Sequence, residues 1–252
     1  SDEDVVEQIR SGANIAILID AGRLSEYQPE LGILSAPYLV EDHSDYAQIT
    51  SSDLYLGWVE GLAANSGLRL LNYNWFQGSR QMLTQGPVES PDDLRGVRVR
   101  TINSPVWVKT IEAMGATPTP LPWSEVYSAL QLGSIDGAEA QLTAAEGQNL
   151  HEVISHIALT GHIHLMTGIA TSEQWYQSLP EELQAILAEE LTRAGEEASQ
   201  ATVDAQDAVR ERMEAEGVTF SEVDIEVFRE RVGGVYADLG YDEYREQLIS
   251  GE

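Results

Sequence analysis

The hydrophobic positions of the chain follow two periods, one typical of strands and one typical of helices. A continuous apolar run at 15–19 predicts a strand that is buried on both faces of a parallel sheet. The segment 2–11 precedes it, with acids in its first turn and apolar residues on one side, and this pattern predicts a helix. A first α/β unit is therefore expected at the beginning of the chain.

The longest helical pattern begins at Pro180 and ends at Gly217. Its apolar positions recur mainly at intervals of three and four residues: Leu183, Ile186, Leu187, Leu191, Ala194, Ala198, Val209 and Met213. At 1.5 Å per residue, roughly 36 residues form a helix about 54 Å long. Such a helix is longer than one small domain.

The other segments continue the alternation of helices and strands. We predict mostly helix over 45–65, a strand over 68–73, helix over 150–158, a strand over 160–170, and a short strand followed by helix over 218–248. At 252 residues, the chain is long enough for one large domain or two smaller ones. The alternation favours an α/β fold.

The segment 94–141 carries the most specific chemistry. Its period-two run at 97–101 predicts a strand with Arg98 and Arg100 on the same face. Because ligands in open α/β sheets bind beyond the carboxyl ends of the strands, Arg100 would present its guanidinium to a carboxylate. An ion pair at the surface or between domains is the alternative, since the chain contains 42 acidic residues.

The predicted strand leads directly into further elements. Ser104 and the proline after it begin a helix over 105–114. The three prolines of 117–122 fix the backbone and remove hydrogen-bond donors, which favours an extended edge or crossover segment. Another helix is expected to begin at 123–125, and a strand with a tight turn at 135–139.

Charge and composition exclude several kinds of function. A net charge of −28 provides neither a nucleic-acid footprint nor a basic stripe for an anionic membrane. No apolar run approaches the ~20 residues that cross a bilayer, so we expect no direct membrane insertion. The absence of cysteine excludes disulfides and thiolate metal sites. Lys109 is the only lysine, and such acidity suggests a high-salt habitat, where charge repulsion is screened over ~3 Å at 1 M salt.

Motifs for metal or enzymatic chemistry are absent or wrongly spaced. His151 and His156 are five residues apart, whereas a zincin helix needs a spacing of four. His162 and His164 would share a strand face, but no third ligand is evident near them. No G-x-S-x-G elbow, P-loop or dinucleotide fingerprint occurs. We therefore expect no metal, no cofactor and no enzymatic activity.

Several motifs occur in an order that resembles one family of transport proteins. The run GATPTPLPWSEVYSALQLGSIDGAE follows LRGVRVR and precedes LHEVISHIALTGHIH, and SLPEELQAILAEE comes later. Together they resemble the solute-binding subunits of tripartite ATP-independent periplasmic (TRAP) transporters, of the DctP type. The resemblance covers nearly the whole chain. It implies a periplasmic-binding-protein-like α/β fold, with two lobes joined by hinge segments and a long helix spanning both.

The resemblance also implies where the two lobes begin and end. Lobe I would consist of 1–77 plus 166–205, and lobe II of 78–165 plus 206–252. Relatives begin with a further strand, helix and strand, so we expect the N-terminal strands of lobe I, which form part of a pocket wall, to be missing from this chain.

The resemblance places a solute site in the cleft between the lobes. Arg100 would bind the solute carboxylate, and Arg80, twenty residues earlier, would add a second positive charge. Asn103 would donate a hydrogen bond, Trp123 would cover the apolar part of the solute, and Glu139 would accept a hydroxyl or amine. The remaining candidate ligand-binding residues are Gln141, Tyr38, Trp75 and His162.

The predicted function is capture of a small carboxylate-bearing solute in the periplasm and its delivery to the membrane subunits of a TRAP transporter, with the protein acting as a monomer. A sensory ligand-binding module of a receptor and an enzyme for small organic acids are the alternatives. Ala140 and Gln141 stand where relatives have Asn-Pro, so the solute stays open. C4-dicarboxylates, hydroxy or keto acids, sugar acids and zwitterions such as ectoine all remain candidates.

Overall fold

The computed structural model describes residues 1–250, which contain twelve helices and one mixed eight-stranded sheet. The helices are α1 (Asp2–Arg10), α2 (Ala21–Leu24), α3 (Tyr46–Thr50), α4 (Asp53–Ser66), α5 (Pro105–Ala113), α6 (Val126–Gln131), α7 (Leu142–Gly147), α8 (Glu173–Gln177), α9 (Glu181–Ala215), α10 (Ile225–Val232), α11 (Val235–Asp238) and α12 (Asp242–Ser250). The strands are β1 (Ala16–Asp20), β2 (Leu68–Leu70), β3 (Trp75–Thr84), β4 (Arg98–Thr101), β5 (Thr117–Pro120), β6 (Gly137–Ala140), β7 (His156–Ser172) and β8 (Thr219–Ser221). This composition confirms the predicted α/β class.

Two long antiparallel strands, β3 and β7, connect the two ends of the sheet. The strand order is β1-β7-β3-β6-β4-β5, and β2 and β8 also pair with β7. The β3–β7 ladder is irregular between Phe76 and Ser79 and between Arg80 and Met82. Gly78 lies in the first irregularity with a φ of 110°, which favours glycine. Because such irregularities bend a strand, the sheet can change direction between its two ends here.

Three hydrophobic clusters stabilise the fold. The first surrounds β1, β2 and the C-terminal half of β7. The second and third cover opposite faces of the β3–β6–β4 region. Met82 and Leu83 are neighbours on β3, and neighbouring side chains on a strand point to opposite faces. Leu83 therefore belongs to the second cluster and Met82 to the third.

The C-terminal helices contact both ends of the molecule. Phe228 of α10 belongs to the third cluster, whereas Tyr241 and Leu248, at the end of the chain, belong to the first. The lobe boundaries 1–77 plus 166–205 and 78–165 plus 206–252 stay a prediction.

Two predictions about individual elements were wrong. Strand β1 is not buried within a parallel sheet but pairs antiparallel with β7 at an edge, and Leu18 is 41% exposed. The segment 150–158 is not helical: it contains a 3-10 turn at Leu150–Glu152, and β7 then begins at His156. The apolar spacing of 150–158 fits a helix, but residues 156–158 form a strand because β7 pairs there with β3 and β8.

The predicted long helix is confirmed by α9, which has 35 residues and is fixed to β3. The Asn74 side-chain amide donates to the Thr192 carbonyl at 2.8 Å, and the Ser199 hydroxyl donates to the Asn74 carbonyl at 2.9 Å. Gly195 permits this close approach, because a Cβ there would lie 2.4 Å from Asn74 Oδ1.

Gly195→Ala is expected to destabilise the protein by about 1–3 kcal/mol, because the new methyl group displaces the hydrogen-bonded Asn74 side chain. The matched control is Gly57→Ala in α4, where no atom lies within 4 Å of the added Cβ. That change is expected to stabilise by about 0.5–1 kcal/mol, since alanine is the better helix former. Urea unfolding midpoints measure both, and equal shifts in the two variants would contradict the packing of α9 on Asn74.

Candidate functional site

Two adjoining cavities lie where the ends of β1 and β4 face each other. Their volumes are about 560 Å³ and about 250 Å³. Both are lined by Asp2, Arg23, Arg100, Ile102 and Trp123. We refer to the two cavities together as the cleft. In the larger cavity, one wall comes from the first 23 residues and the other mainly from residues 100–124. A cleft of this size is suitable for a small organic molecule.

Arg100 is a buried cation that lines both cavities. Its side chain lies at the carboxyl end of β4 and is 2% exposed. Nε and Nη2 donate to the Leu121 carbonyl at 3.0 and 2.8 Å, and the guanidinium carbon lies 5.2 Å from the Trp123 ring centroid. Within residues 1–250, no carboxylate lies within ion-pair distance of it. Arg100 therefore combines a fixed orientation with an unmatched charge.

The electrostatic surroundings of Arg100 favour an anion in the cleft. Burial lowers the pKa of Arg100 to about 10; Glu139 opposes this shift, whereas the guanidiniums of Arg80 and Arg23 add to it. The side chain stays protonated at neutral pH. A bound anion would supply the directly contacting counter-charge that residues 1–250 do not provide at this position.

Arg80 forms a buried ion pair with Glu139, and both side chains are at most 4% exposed. Arg80 Nε contacts Glu139 Oε2, and its Nη1 donates to Gln141 Oε1 at 2.9 Å. The Thr101 hydroxyl donates to Glu139 Oε1 at 3.1 Å. Burial alone would raise the pKa of Glu139, but Arg80 and the hydrogen bonds outweigh it and lower the pKa to about 2. Glu139 thus lines neither cavity, and its contacts orient Arg80.

The structure brings five of the predicted site residues to the cleft and leaves four away from it. Arg100, Arg80, Asn103, Trp123 and Gln141 line one or both cavities, whereas Glu139, His162, Tyr38 and Trp75 line neither. His162 is fully buried behind Glu139, with 3.8 Å between His162 Nε2 and Glu139 Oε2, and burial lowers its pKa. The Tyr38 hydroxyl donates to the Thr160 carbonyl at 2.9 Å, and its ring lines a separate cavity beneath Arg229.

Arg23, which was not predicted from the sequence, lines both cavities from the opposite wall. Its Nη1 contacts Asp20 Oδ2, and its Nη2 lies 3.2 Å from Asp2 Oδ2. Asp20 is the last residue of β1 and caps α2 by accepting from the Arg23 amide at 3.0 Å. The strand-end rule that identified Arg100 also applies to the apolar run at 15–19 and would have identified this pair.

The described part of the chain contains neither a group of metal-binding side chains nor a helix that could span a membrane. In residues 1–250, no three His, Asp or Glu side chains are grouped so that they would hold a metal ion. No helix among these residues has both the length and the hydrophobicity to cross a bilayer.

Comparison with known proteins gives consistent matches along nearly the whole chain. Residues 1–243 match the sequence model of DctP, described as bacterial extracellular solute-binding protein, family 7. A solute-binding protein of Chromohalobacter salexigens is 30% identical over 88% of this chain and 66% of its own length. The chain spans between 54% and 66% of the length of the first curated relatives that it matches.

Solved structures agree in fold. An apo, open TRAP periplasmic solute-binding protein from Escherichia fergusonii is 42% identical, with a TM-score of 0.88 over all of this chain and 85% of the other. Another TRAP periplasmic solute-binding protein, from Ochrobacterium anthropi with bound L-fuconate, is 31% identical, with a TM-score of 0.93 over 98% of this chain and 84% of the other. These matches confirm the predicted two-lobe architecture.

Proposed function

Because the chain belongs to the DctP family of bacterial extracellular solute-binding proteins, as its motifs predicted, we propose that it captures a small carboxylate-bearing solute in the cleft and delivers it to a TRAP transporter. The observation that carries this proposal is the position of Arg100, a buried cation on both cavities without a carboxylate partner in residues 1–250. A charge-assisted hydrogen bond to a solute carboxylate would contribute about 1.5–3 kcal/mol. The bound L-fuconate of the Ochrobacterium anthropi protein, a sugar acid, supports the same class of solute.

The residues of the cleft have different parts in this proposal. Arg100 binds the carboxylate, and its stacking on Trp123 holds the guanidinium plane in place. Arg80 adds positive charge and is positioned by the buried carboxylate of Glu139 rather than left free to move. Asn103, which lines the larger cavity, hydrogen-bonds a polar group of the solute. Glu139 acts through Arg80 and does not itself receive the solute.

Closure of the cleft follows from the placement of these residues on two walls. A solute that contacts both Arg23 and Arg100 binds best when the walls are close together, so it shifts the population toward a closed conformation. The proposed moving bodies are the lobes 1–77 plus 166–205 and 78–165 plus 206–252. Periplasmic location, a monomeric state, an absence of catalysis and delivery to TRAP membrane subunits all belong to this proposal.

Calorimetric titration with sugar acids is expected to show one solute per protein with micromolar affinity, about −8 kcal/mol. Neutral sugars of the same size should give no binding heat, because they do not supply the counter-charge that Arg100 lacks. Nuclear magnetic resonance of the recovered solute should show it chemically unchanged. Equal affinity for neutral sugars would contradict carboxylate capture, and conversion of the solute would favour an enzyme.

A further inference from the structure

The arginines that line the cleft differ in whether they contact a carboxylate. Of the three arginines that line it, Arg80 contacts the carboxylate of Glu139, and Arg23 contacts that of Asp20. Arg100 has only a backbone carbonyl as its acceptor in the described part of the chain. Residues 1–250 therefore place three guanidiniums at the cleft, and one of them is not matched by a carboxylate of these residues.

The opposite wall of the larger cavity is acidic. Asp2 and Glu3, in the first turn of α1, line it together with Arg23. The Asp2 carboxylate lies 3.2 Å from Arg23 Nη2 and is a second negative charge, besides Asp20, that offsets the positive charge of Arg23. Among residues 1–250, Arg23 and Arg100 are the only lysine or arginine side chains that line this cavity. In the described part of the chain, an anionic group on the far end of a solute would thus meet the carboxylates of Asp2 and Glu3 and an arginine that is already paired.

We propose that the cleft selects polyhydroxylated solutes with a single carboxylate and discriminates against solutes with a carboxylate at each end; this inference rests on the proposed function. One carboxylate matches Arg100. A second one would lie in the same cavity as Asp2 and Glu3, where like charges repel at short range. The same carboxylates accept hydrogen bonds, and Asn103 and Ser124 add further polar groups, so hydroxyls are suited to the rest of the cavity.

Three compounds with the same six-carbon polyol skeleton test the proposal: galactonate with one terminal carboxylate, galactarate with two, and galactitol with none. By calorimetry at neutral pH, galactonate should bind at least tenfold more tightly than galactarate, and galactitol should not bind. Gluconate, glucarate and glucitol repeat the comparison with another stereochemistry. Diacids that bind as tightly as their monoacids would overturn the selection for one carboxylate while carboxylate capture stands. Failure of every acid to bind would overturn both proposals.

A double variant, Asp2→Asn with Glu3→Gln, locates the source of the discrimination. Both side chains are solvent-exposed, so the fold should be retained. We expect the ratio of monoacid to diacid affinity to fall to threefold or less, because the neutral amides no longer repel the second carboxylate. The matched control is Glu7→Gln in the same helix, whose carboxylate pairs with Arg10 and does not line the cleft. An unchanged ratio in the double variant would overturn the role of the acidic wall.

Discussion

Arg100→Ala is expected to abolish measurable solute binding while leaving the thermal midpoint of the solute-free protein nearly unchanged. Loss of one partner from a buried charged contact weakens binding by about 3 kcal/mol or more, which exceeds a hundredfold in affinity. The apo protein is little affected because Arg100 is a buried cation without a counter-ion in residues 1–250, so its removal also relieves a desolvation cost. Calorimetric titration and thermal melting of the same preparation measure the two effects.

Arg98→Ala is the matched control for this prediction. Arg98 lies on the same strand, two residues earlier, but its side chain is 44% exposed and pairs with Asp136 at 2.7 Å. It lines neither cavity of the cleft. Solute affinity should therefore be retained. Equal losses in the two variants would show that general charge, and not the position of Arg100, attracts the solute.

Glu139→Gln is expected to destabilise the protein by about 3–5 kcal/mol, since it leaves the buried guanidinium of Arg80 without its carboxylate. For a chain of this size, such a loss lowers the thermal midpoint by roughly 6–20 °C. The effect should depend on pH. Because Arg80 and the hydrogen bonds lower the pKa of Glu139 to about 2, its carboxylate stabilises the fold fully above the ordinary glutamate range, and this contribution is lost as the pH falls toward 2. The difference in thermal midpoint between the wild type and Glu139→Gln should therefore shrink below about pH 4.5.

Asp136→Asn provides the control, because Asp136 lies three residues before Glu139, next to the start of β6, and its ion pair is exposed. The Arg98–Asp136 pair has side chains that are 44% and 40% exposed, and exposed pairs contribute at most about 1 kcal/mol. The thermal midpoint of the Asp136→Asn variant should therefore differ from that of the wild type by a few degrees at most. Similar midpoints for the two variants would contradict the structural importance of the Arg80–Glu139 pair, whatever the solute-binding result.

Local sequence signals predicted some elements well because their cause is also local. The helix over 181–215 has an apolar stripe and a proline-led start, both of which are typical of a helix. The edge position of β1 and the strand at 156–158 depend instead on pairing with distant segments, such as β7 with β1 and with β8. Periodicity alone contains no information about these partners, so the apolar runs there were misassigned.

The same distinction holds for the cleft. Arg100 was predicted because the end of a strand is visible in the sequence, whereas Arg23 lies three residues beyond the end of β1, in α2. The burial of Glu139 was not predictable in this way, since it results from pairing of β6 with both β3 and β4. His162 is hidden for a related reason, because β7 places it behind Glu139.

The most direct test of carboxylate capture is an experimental structure of the protein with a bound sugar acid such as galactonate. We expect the solute between the two walls, with a carboxylate oxygen about 2.7–2.9 Å from an Arg100 guanidinium nitrogen, as in other charge-assisted hydrogen bonds. A solute whose carboxylate lies outside hydrogen-bond distance of Arg100, or one bound in another cavity, would contradict the account.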